Sequence, residues 1–355
     1  MPFFVAPKFL SMPAVGLDIS ADAARFIELE ASGKGMRVSR YAKQSFPQGL
    51  IENGQVHENK KLKDAIMALA DKYELSFANV SLPEEQAYLV NIEIPRMDIS
   101  GVRDAIEFRL EEYIPISGAD AVFDYVIADA GGPHKDVMNV VVSALPRVVV
   151  EEHFEIFKDT GITPKSFEFE SQAMARAIIP KGDTGTFLVV DIGKIVTDIF
   201  VCVDGIVQFS ASLDIGGHFL TQAISNALGV SYEEAEALKA KHGFVSATKI
   251  EGLYEAMLPI VGDLRMRLMR HYSYWETHHG DKTGGSIEYI YITGGSANLK
   301  GLSEYLAAGI DVKIAEANPW VNVATFDDYV PPLSRSESHG YTTAIGLALR
   351  NTSEQ

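Results

Sequence analysis

The sequence predicts an α/β protein of two similar lobes facing each other across a cleft. Three observations carry this. Val15-Gly-Leu-Asp18-Ile-Ser opens the first half and Val189-Val-Asp191-Ile-Gly opens the second, each a short apolar run ending at an acidic residue. Each opening is followed by two more strand-like runs and then by helical periodicity, so a βββα unit is written twice. The 355 residues are also too many for one small core.

In the first half, residues 14–19, 26–29 and 36–45 read as a three-stranded meander. Residues 60–73 carry Leu62, Ile66, Leu69 and Ala70 at helical spacing. Residues 80–82 and 88–94 read as strands on either side of a Pro83-Glu-Glu turn. A helix over 102–113 follows, with Ser100 as its cap and Pro115 as its stop. Residues 122–128 and 137–144 read as a strand pair joined at Gly131-Gly-Pro, and 148–157 as a helix. The second half repeats the meander at 187–192, 196–203 and 206–213, turning at Gly205. Helices are predicted over 218–228, 232–241 and 250–278, a strand over 287–293, a helix over 299–308 and a last helix over 342–349. Residues 319–339 are rich in turn formers.

Bulk composition narrows the partners. Forty-eight acidic residues against 31 basic ones give a net charge of -17. That is the wrong sign for a nucleic-acid footprint, and it disfavours broad adsorption to anionic lipid. A nucleotide is not excluded, because it needs only a local cradle of backbone N–H groups. The single cysteine, Cys202, lies in an apolar run, fits a reducing compartment and reads as a small core residue. No run reaches the ~18 apolar residues of a membrane helix, so direct membrane insertion is not expected. Residues 1–13 are apolar but broken by prolines and lysine, and read as a tail.

Four motifs carry chemistry. In Asp191-Ile-Gly193-Lys-Ile-Val-Thr197-Asp198 a strand ends in an acid, and a glycine lets backbone approach a phosphate. Thr197 and Asp198 begin the return strand, where they can hold water or an ion. In Ile290-Tyr-Ile-Thr293-Gly294-Gly295-Ser296 a buried strand runs into small residues that admit a flat ring or phosphate. Gly216-Gly217 follows the third strand of the second half. Glu236 and Lys239, three apart on one helical face, could grip a ribose or form a solvated ion pair.

Taken in order, these motifs resemble the layout of the actin, heat-shock-70 and sugar-kinase superfamily. The match is closest to the pilus assembly protein PilM family. Val80-Ser-Leu-Pro83, Ile92-Glu-Ile-Pro95, Ala105-Ile-Glu-Phe-Arg-Leu-Glu-Glu-Tyr-Ile114-Pro115 and Phe123-Asp-Tyr125 look like that family's inserted subdomain. The resemblance spans residues 14–350 and implies an actin-like (ribonuclease H-type) fold with an SHS2-like insertion. The implied divisions are a tail (1–13), the first lobe (14–79), the insertion (80–165), a connecting segment (166–185), the second lobe (186–338), and a closing helix and tail (339–355).

The resemblance also implies roles. ATP or ADP with Mg²⁺ would lie between the lobes, the ion oriented by Asp18 and Asp191 through water. Gly193, Gly216 and Gly217 would approach phosphates, with Ser20, Arg25 and Thr197 nearby. Glu236 and Lys239 would meet ribose and adenine, and Gly294, Gly295 and Ser296 would pack on the adenosine. Glu170, Asp191 and Asp198 are the candidate catalytic acids, Glu170 standing where relatives position attacking water; it also reads as a plain helix N-terminal acid. The chain departs from the family at Ser20, Asp22, Arg25, Lys194 and Ile195, which predicts slow turnover at most.

The implied role is a cytoplasmic adaptor of type IV pilus assembly at the inner face of the membrane. It would bind the N-terminal peptide of a single-pass PilN-like protein and meet other pilus inner-membrane components. Phe108, Arg109, Tyr113, Ile114 and Pro115 are the expected groove. An actin-like cell-division protein is the first alternative, against which the polar end of the chain counts; a small-molecule kinase is the second.

Overall fold

The computed structural model describes residues 13–33, 35–47, 49–129, 136–244, 250–280 and 285–353. The Gly131-Gly-Pro connection and residues 1–12 of the expected tail lie outside them.

The repeat is realised as two five-stranded sheets of one design. In the first, β1 (Val15–Ile19), β2 (Ala23–Ser32) and β3 (Gly35–Ser45) form an antiparallel meander. A short hairpin, β4 (Ile51–Glu52) and β5 (Gln55–Val56), leads to α1 (Asn59–Tyr73) and then β6 (Phe77–Leu82), which is parallel to β1. The second sheet opens with the meander β11 (Thr186–Ile192), β12 (Thr197–Val203) and β13 (Ile206–Leu213). Helices α5 (Gly217–Leu228), α6 (Tyr232–His242) and α7 (Leu253–His279) follow, then β14 (Tyr289–Thr293), parallel to β11, and the short α8 (Leu302–Ala307). The strand orders are β10-β6-β1-β2-β3 and β13-β12-β11-β14-β15, so each sheet runs third, second, first, fourth, fifth.

The fifth strands, β10 (Thr163–Phe169) and β15 (Lys313–Glu316), and the β4–β5 hairpin are not anticipated by hydrophobic pattern. The edge strands β10 and β15 mix polar and apolar residues, and β10 carries Pro164 beside a bulge. Prolines are tolerated at such positions.

Between β6 and α3 (Arg147–Phe157) the chain makes a separate sheet in the order β7-β9-β8. It comprises β7 (Tyr88–Pro95), α2 (Ile99–Arg109), β8 (Ala121–Asp129) and β9 (Val137–Pro146). Val102, Ile106, Leu110 and Ile114 pack over one face of it. The α2 helix starts earlier than expected, so Ser100 lies inside it; it ends at Arg109, and one tight turn over Leu110–Glu112 carries the chain to Pro115.

The buried strands β11 and β12 place alternate residues in two cores, as the strand period requires. Leu188, Val190, Ile199 and Val201 pack on α5 and α7. Phe187, Val189, Phe200 and Cys202 face a central core shared with α4 (Glu170–Ile178), α10 (Thr342–Ser353), Leu333 and Tyr341 on either side of α9 (Arg335–His339), and Ile27 of the first lobe. Burial pushes the Cys202 thiol up to about 12, which makes it an inert core group. Helices α4 and α10 cross in contact: a Cβ on Gly346 would lie 1.7 Å from the Ala173 carbonyl oxygen. A Cβ on Gly16 of β1 would lie 1.9 Å from the carbonyl oxygen of Ala344. These glycines let the closing helix sit between the lobes.

Candidate functional site

Asp18 and Asp191 end the first strands of the two sheets, so the repeat sets them at equivalent positions. Asp18 accepts a hydrogen bond from Ser81 Oγ at 3.1 Å and lies 3.9 Å from Arg25 Nη1. Burial raises its pKa to about 6, against the pull of Arg25 and Ser81. Asp191 stands across from Asp198 on β12 and beside Thr293 on β14. Burial pushes it up to about 7, the Asp18 charge adding and Arg25 opposing.

More carboxyls converge on the same floor. Asp198, hydrogen-bonded by Ser212 Oγ, is held well above the usual range by burial and by the charges of Glu85, Asp191 and Glu84. Glu170, at the start of α4, is held there by burial and by Asp18, Asp198, Glu85 and Asp191. Glu84 is buried and accepts from Ser171 Oγ at 2.9 Å. Glu84 and Glu85 escape sequence reasoning; the available signal is that they directly follow the buried strand β6 and Pro83. Such a set is short of positive charge and fits a divalent cation. Among the described residues, no group of three His, Cys, Asp or Glu is placed to hold a metal ion by itself.

The first-lobe turn is self-contained. Arg25 pairs with both oxygens of Asp22 at 3.0 Å and donates to Ser20 Oγ at 2.9 Å, and Lys43 reaches Asp22 at 3.4 Å. The Asp22 charge is thus offset locally by Arg25 and Lys43.

On the second lobe the glycines bring three segments together. Gly193 N–H donates to Val196 O at 3.0 Å, Gly217 N–H to Gly193 O at 3.0 Å and Ser296 Oγ to Gly193 O at 3.1 Å. The N–H groups of Gly193 and Gly217 are therefore spent inside the turns. A Cβ on Gly217 would lie 2.2 Å from Ser296 Oγ, and one on Gly216 would lie 2.6 Å from Lys194 O. Gly294 has a φ of 92°, and its Cβ would meet Asp191 Oδ1 at 2.4 Å. Gly295 differs: a Cβ there would meet no protein atom within 4 Å, which leaves room for a ligand against the backbone. Thr197 Oγ1 donates to Ile215 O and helps hold the Gly216 turn.

Lys239 is nearly buried, and its ammonium donates to Gly217 O at 2.9 Å, Thr221 Oγ1 at 2.7 Å and Glu236 Oε2 at 2.8 Å. All three of its donors are engaged. The expected ribose contact of Lys239 is thereby replaced by a brace that ties α6 to the start of α5. Glu236 is the half-exposed member of the pair. Burial would raise its carboxyl, but the bonds from Lys239 and Thr221 outweigh it and hold the carboxyl low.

The expected partner surface divides. Phe108 is 87% exposed, and Tyr113 and Pro115 are also exposed. Ile114 is 3% exposed and belongs to the insertion's core, so it cannot anchor a peptide. Arg109 is tied to Tyr113 OH at 2.8 Å and to the Glu93 carbonyl. A much larger groove, about 1290 Å³, runs between the insertion, α4 and the 321–328 loop. Nothing in the sequence pattern points to it, because its walls come from segments far apart in the chain.

The fold and the facing aspartates define the class: the chain has the actin-like ATPase fold. A family profile described as type IV pilus assembly protein PilM matches residues 16–352, and the chain belongs to that family. It is similar to the PilM–PilN type IV pilus biogenesis complex, with a TM-score of 0.78 at 23% identity over 96% of this chain and 98% of that one. It is also similar in fold to the ethanolamine utilization protein EutJ of Carboxydothermus hydrogenoformans, with a TM-score of 0.57 at 16% identity, covering 95% and 89% of the two chains. MreB5 of Spiroplasma citri bound to ADP gives 0.52 at 12% identity, covering 87% and 92%. Among curated proteins it is 26% identical to the cell division protein FtsA of Buchnera aphidicola (subsp. Schizaphis graminum) over 210 residues, 50% of this chain. The chain spans about half the length of the curated relatives it matches. Among the described residues, no helix is long and apolar enough to cross a membrane.

Proposed function

We propose that this chain is a nucleotide-gated adaptor of type IV pilus assembly. It takes ATP or ADP with Mg²⁺ between its lobes and is held at the inner face of the cell membrane by a peptide from a single-pass PilN-like protein. The carrying observation for the nucleotide is the pair Asp18, buried, and Asp191, half-buried, whose carboxyls are pushed up, with Asp191 against Gly294 and Gly295 open next to it. Asp18 and Asp191 would hold a Mg²⁺ ion, which would supply the missing charge, Glu236 would meet the ribose side, and Gly294, Gly295 and Ser296 would form the adenosine wall. In isothermal titration, Mg-ADP is expected to bind the wild-type chain, and Asp191→Ala is expected to weaken it at least about tenfold. Equal affinity in the two proteins would remove the assignment.

Hydrolysis is expected to be slow. Glu170 can orient and deprotonate water only as a carboxylate, and burial together with the charges of Asp18, Asp198, Glu85 and Asp191 disfavours that form. A purified sample should turn over well below the enzyme median of about 10 per second. Release of phosphate at that rate without a partner would contradict this.

The large groove beside the insertion supports the partner half of the reading, since extended peptides gain affinity from side-chain anchors in apolar grooves. It suits a peptide better than the surface at Phe108 and Tyr113, whose third expected anchor, Ile114, is buried. The FtsA matches favour a second reading, a cell-division protein. Binding to anionic vesicles without any partner chain would support that reading and count against the adaptor.

A further inference from the structure

A helix start is ordinarily a ready anion site, because its first amides have no partner inside the helix. At α5 those amides are taken. Gly217 N–H donates to Gly193 O at 3.0 Å, His218 N–H to Lys194 O at 2.7 Å and Phe219 N–H to Gly216 O at 3.1 Å. Gly193 N–H is spent on Val196 O. The turn between β11 and β12 is thus docked on the start of α5, and these amides are closed to a phosphate.

Side-chain cations must then carry more of the load, and those around the site are mostly engaged. Arg25 is held by Asp22 and Ser20, and Lys43 pairs with Asp22. Lys239 spends its donors on Gly217 O, Thr221 and Glu236. Lys194 differs. It is exposed in the turn between β11 and β12, and among the described residues its ammonium makes no hydrogen bond or ion pair. An exposed lysine is ordinarily a solvated charge. The root of this one is fixed, because its carbonyl holds His218 N–H and would lie 2.6 Å from a Cβ on Gly216. Its charge also bears on the same wall. Burial, then the charges of Lys194 and Lys239, hold His218 below its ordinary pKa, and Glu236 lies within electrostatic reach of Lys194. The site therefore has two sides of opposite sign. Asp18, Asp191, Asp198 and Glu170 crowd the floor, and an unpaired ammonium stands beside Gly193.

We propose that Lys194 binds the phosphates of the nucleotide, as a point charge delivered from the turn between β11 and β12. This rests on the nucleotide reading and deepens it: the ligand is a nucleoside di- or triphosphate, held by the ammonium at its phosphate oxygens. A lysine suits the task, since its flexible stem and three rotatable donors can follow a phosphate while the fork of Arg25 stays bound to Asp22.

The test titrates Mg-ADP into the full chain and into Lys194→Arg, Lys194→Met and Lys194→Glu. Lys194→Met is expected to lose about tenfold in affinity, the scale of one charge-assisted hydrogen bond, and Lys194→Glu more. Lys194→Arg, which keeps the charge, is expected to stay within about threefold of wild type. Affinity in Lys194→Met should also depend less on salt than in wild type. The side chain is exposed and unpaired, so the nucleotide-free variants should melt with the wild type. Equal affinity in wild type and Lys194→Met overturns the inference and leaves the nucleotide reading standing. A loss in Lys194→Arg as large as in Lys194→Met also overturns it, because charge would then not be what binds. Failure of the wild type to bind Mg-ADP overturns both.

Discussion

Asp191→Asn is expected to make the nucleotide-free protein more stable at pH 8 while destroying its use of Mg-nucleotide. Asp191 and Asp18 have folded pKa values of about 7 and about 6, above their ordinary 3.8. Between those limits the folded state binds more protons than the unfolded one. Their favourable contribution is fully present below about pH 4 and is lost as pH rises through 6 and 7, where two buried charges must form. The amide keeps the shape and removes one charge. The gain at pH 8 should be on the order of 1–3 kcal/mol, and it should vanish near pH 4. Saturating Mg-ADP should stabilise the wild type and fail to stabilise the variant. Thermal melts from pH 4 to pH 8, with and without Mg-ADP, check this. A variant less stable than wild type at pH 8 would show that the Asp191 charge is already compensated. The expected pattern is that of a binding site whose charge crowding is tolerated because the ligand relieves it.

Gly346→Ala should produce the largest loss of stability. The added methyl would sit 1.7 Å from the Ala173 carbonyl oxygen and 2.4 Å from its carbon, both backbone atoms that cannot swing aside. Elsewhere in a helix the same change is favourable by about 1 kcal/mol. Here α4 and α10 would have to separate, and both are built into the core between the lobes. A cost of about 4 kcal/mol or more is expected, read as a collapse of the denaturant midpoint or as insoluble expression. Gly295→Ala is the control, because its methyl meets no protein atom. It should leave stability within about 0.5 kcal/mol and act on nucleotide affinity alone. A Gly346→Ala chain as stable as wild type would mean that the crossing is looser than these distances state.

The repeated opening of the two halves, read as sequence, determined much of this protein. β11 and β12 are apolar on both faces and bounded by turn residues, so their extent and pairing follow from local pattern. The same holds for the acid at the end of each first strand and for the paired glycines, because only glycine accepts the backbone of Gly294. The tertiary structure decided what those residues touch. Gly193 and Gly217 spend their N–H groups on the turns, and Lys239 spends its three donors on α5. Ile114 turned inward, although the same motif left Phe108 outside. Glu84 and Glu85 joined the cleft from the turn that follows β6, and the groove drew its walls from β8, β9, α4 and the 321–328 loop. The physical reason is one of range. Periodicity and turn chemistry act over a few residues and select elements, whereas burial, desolvation and donor satisfaction depend on groups far apart in the chain and exist only once the lobes have closed on each other.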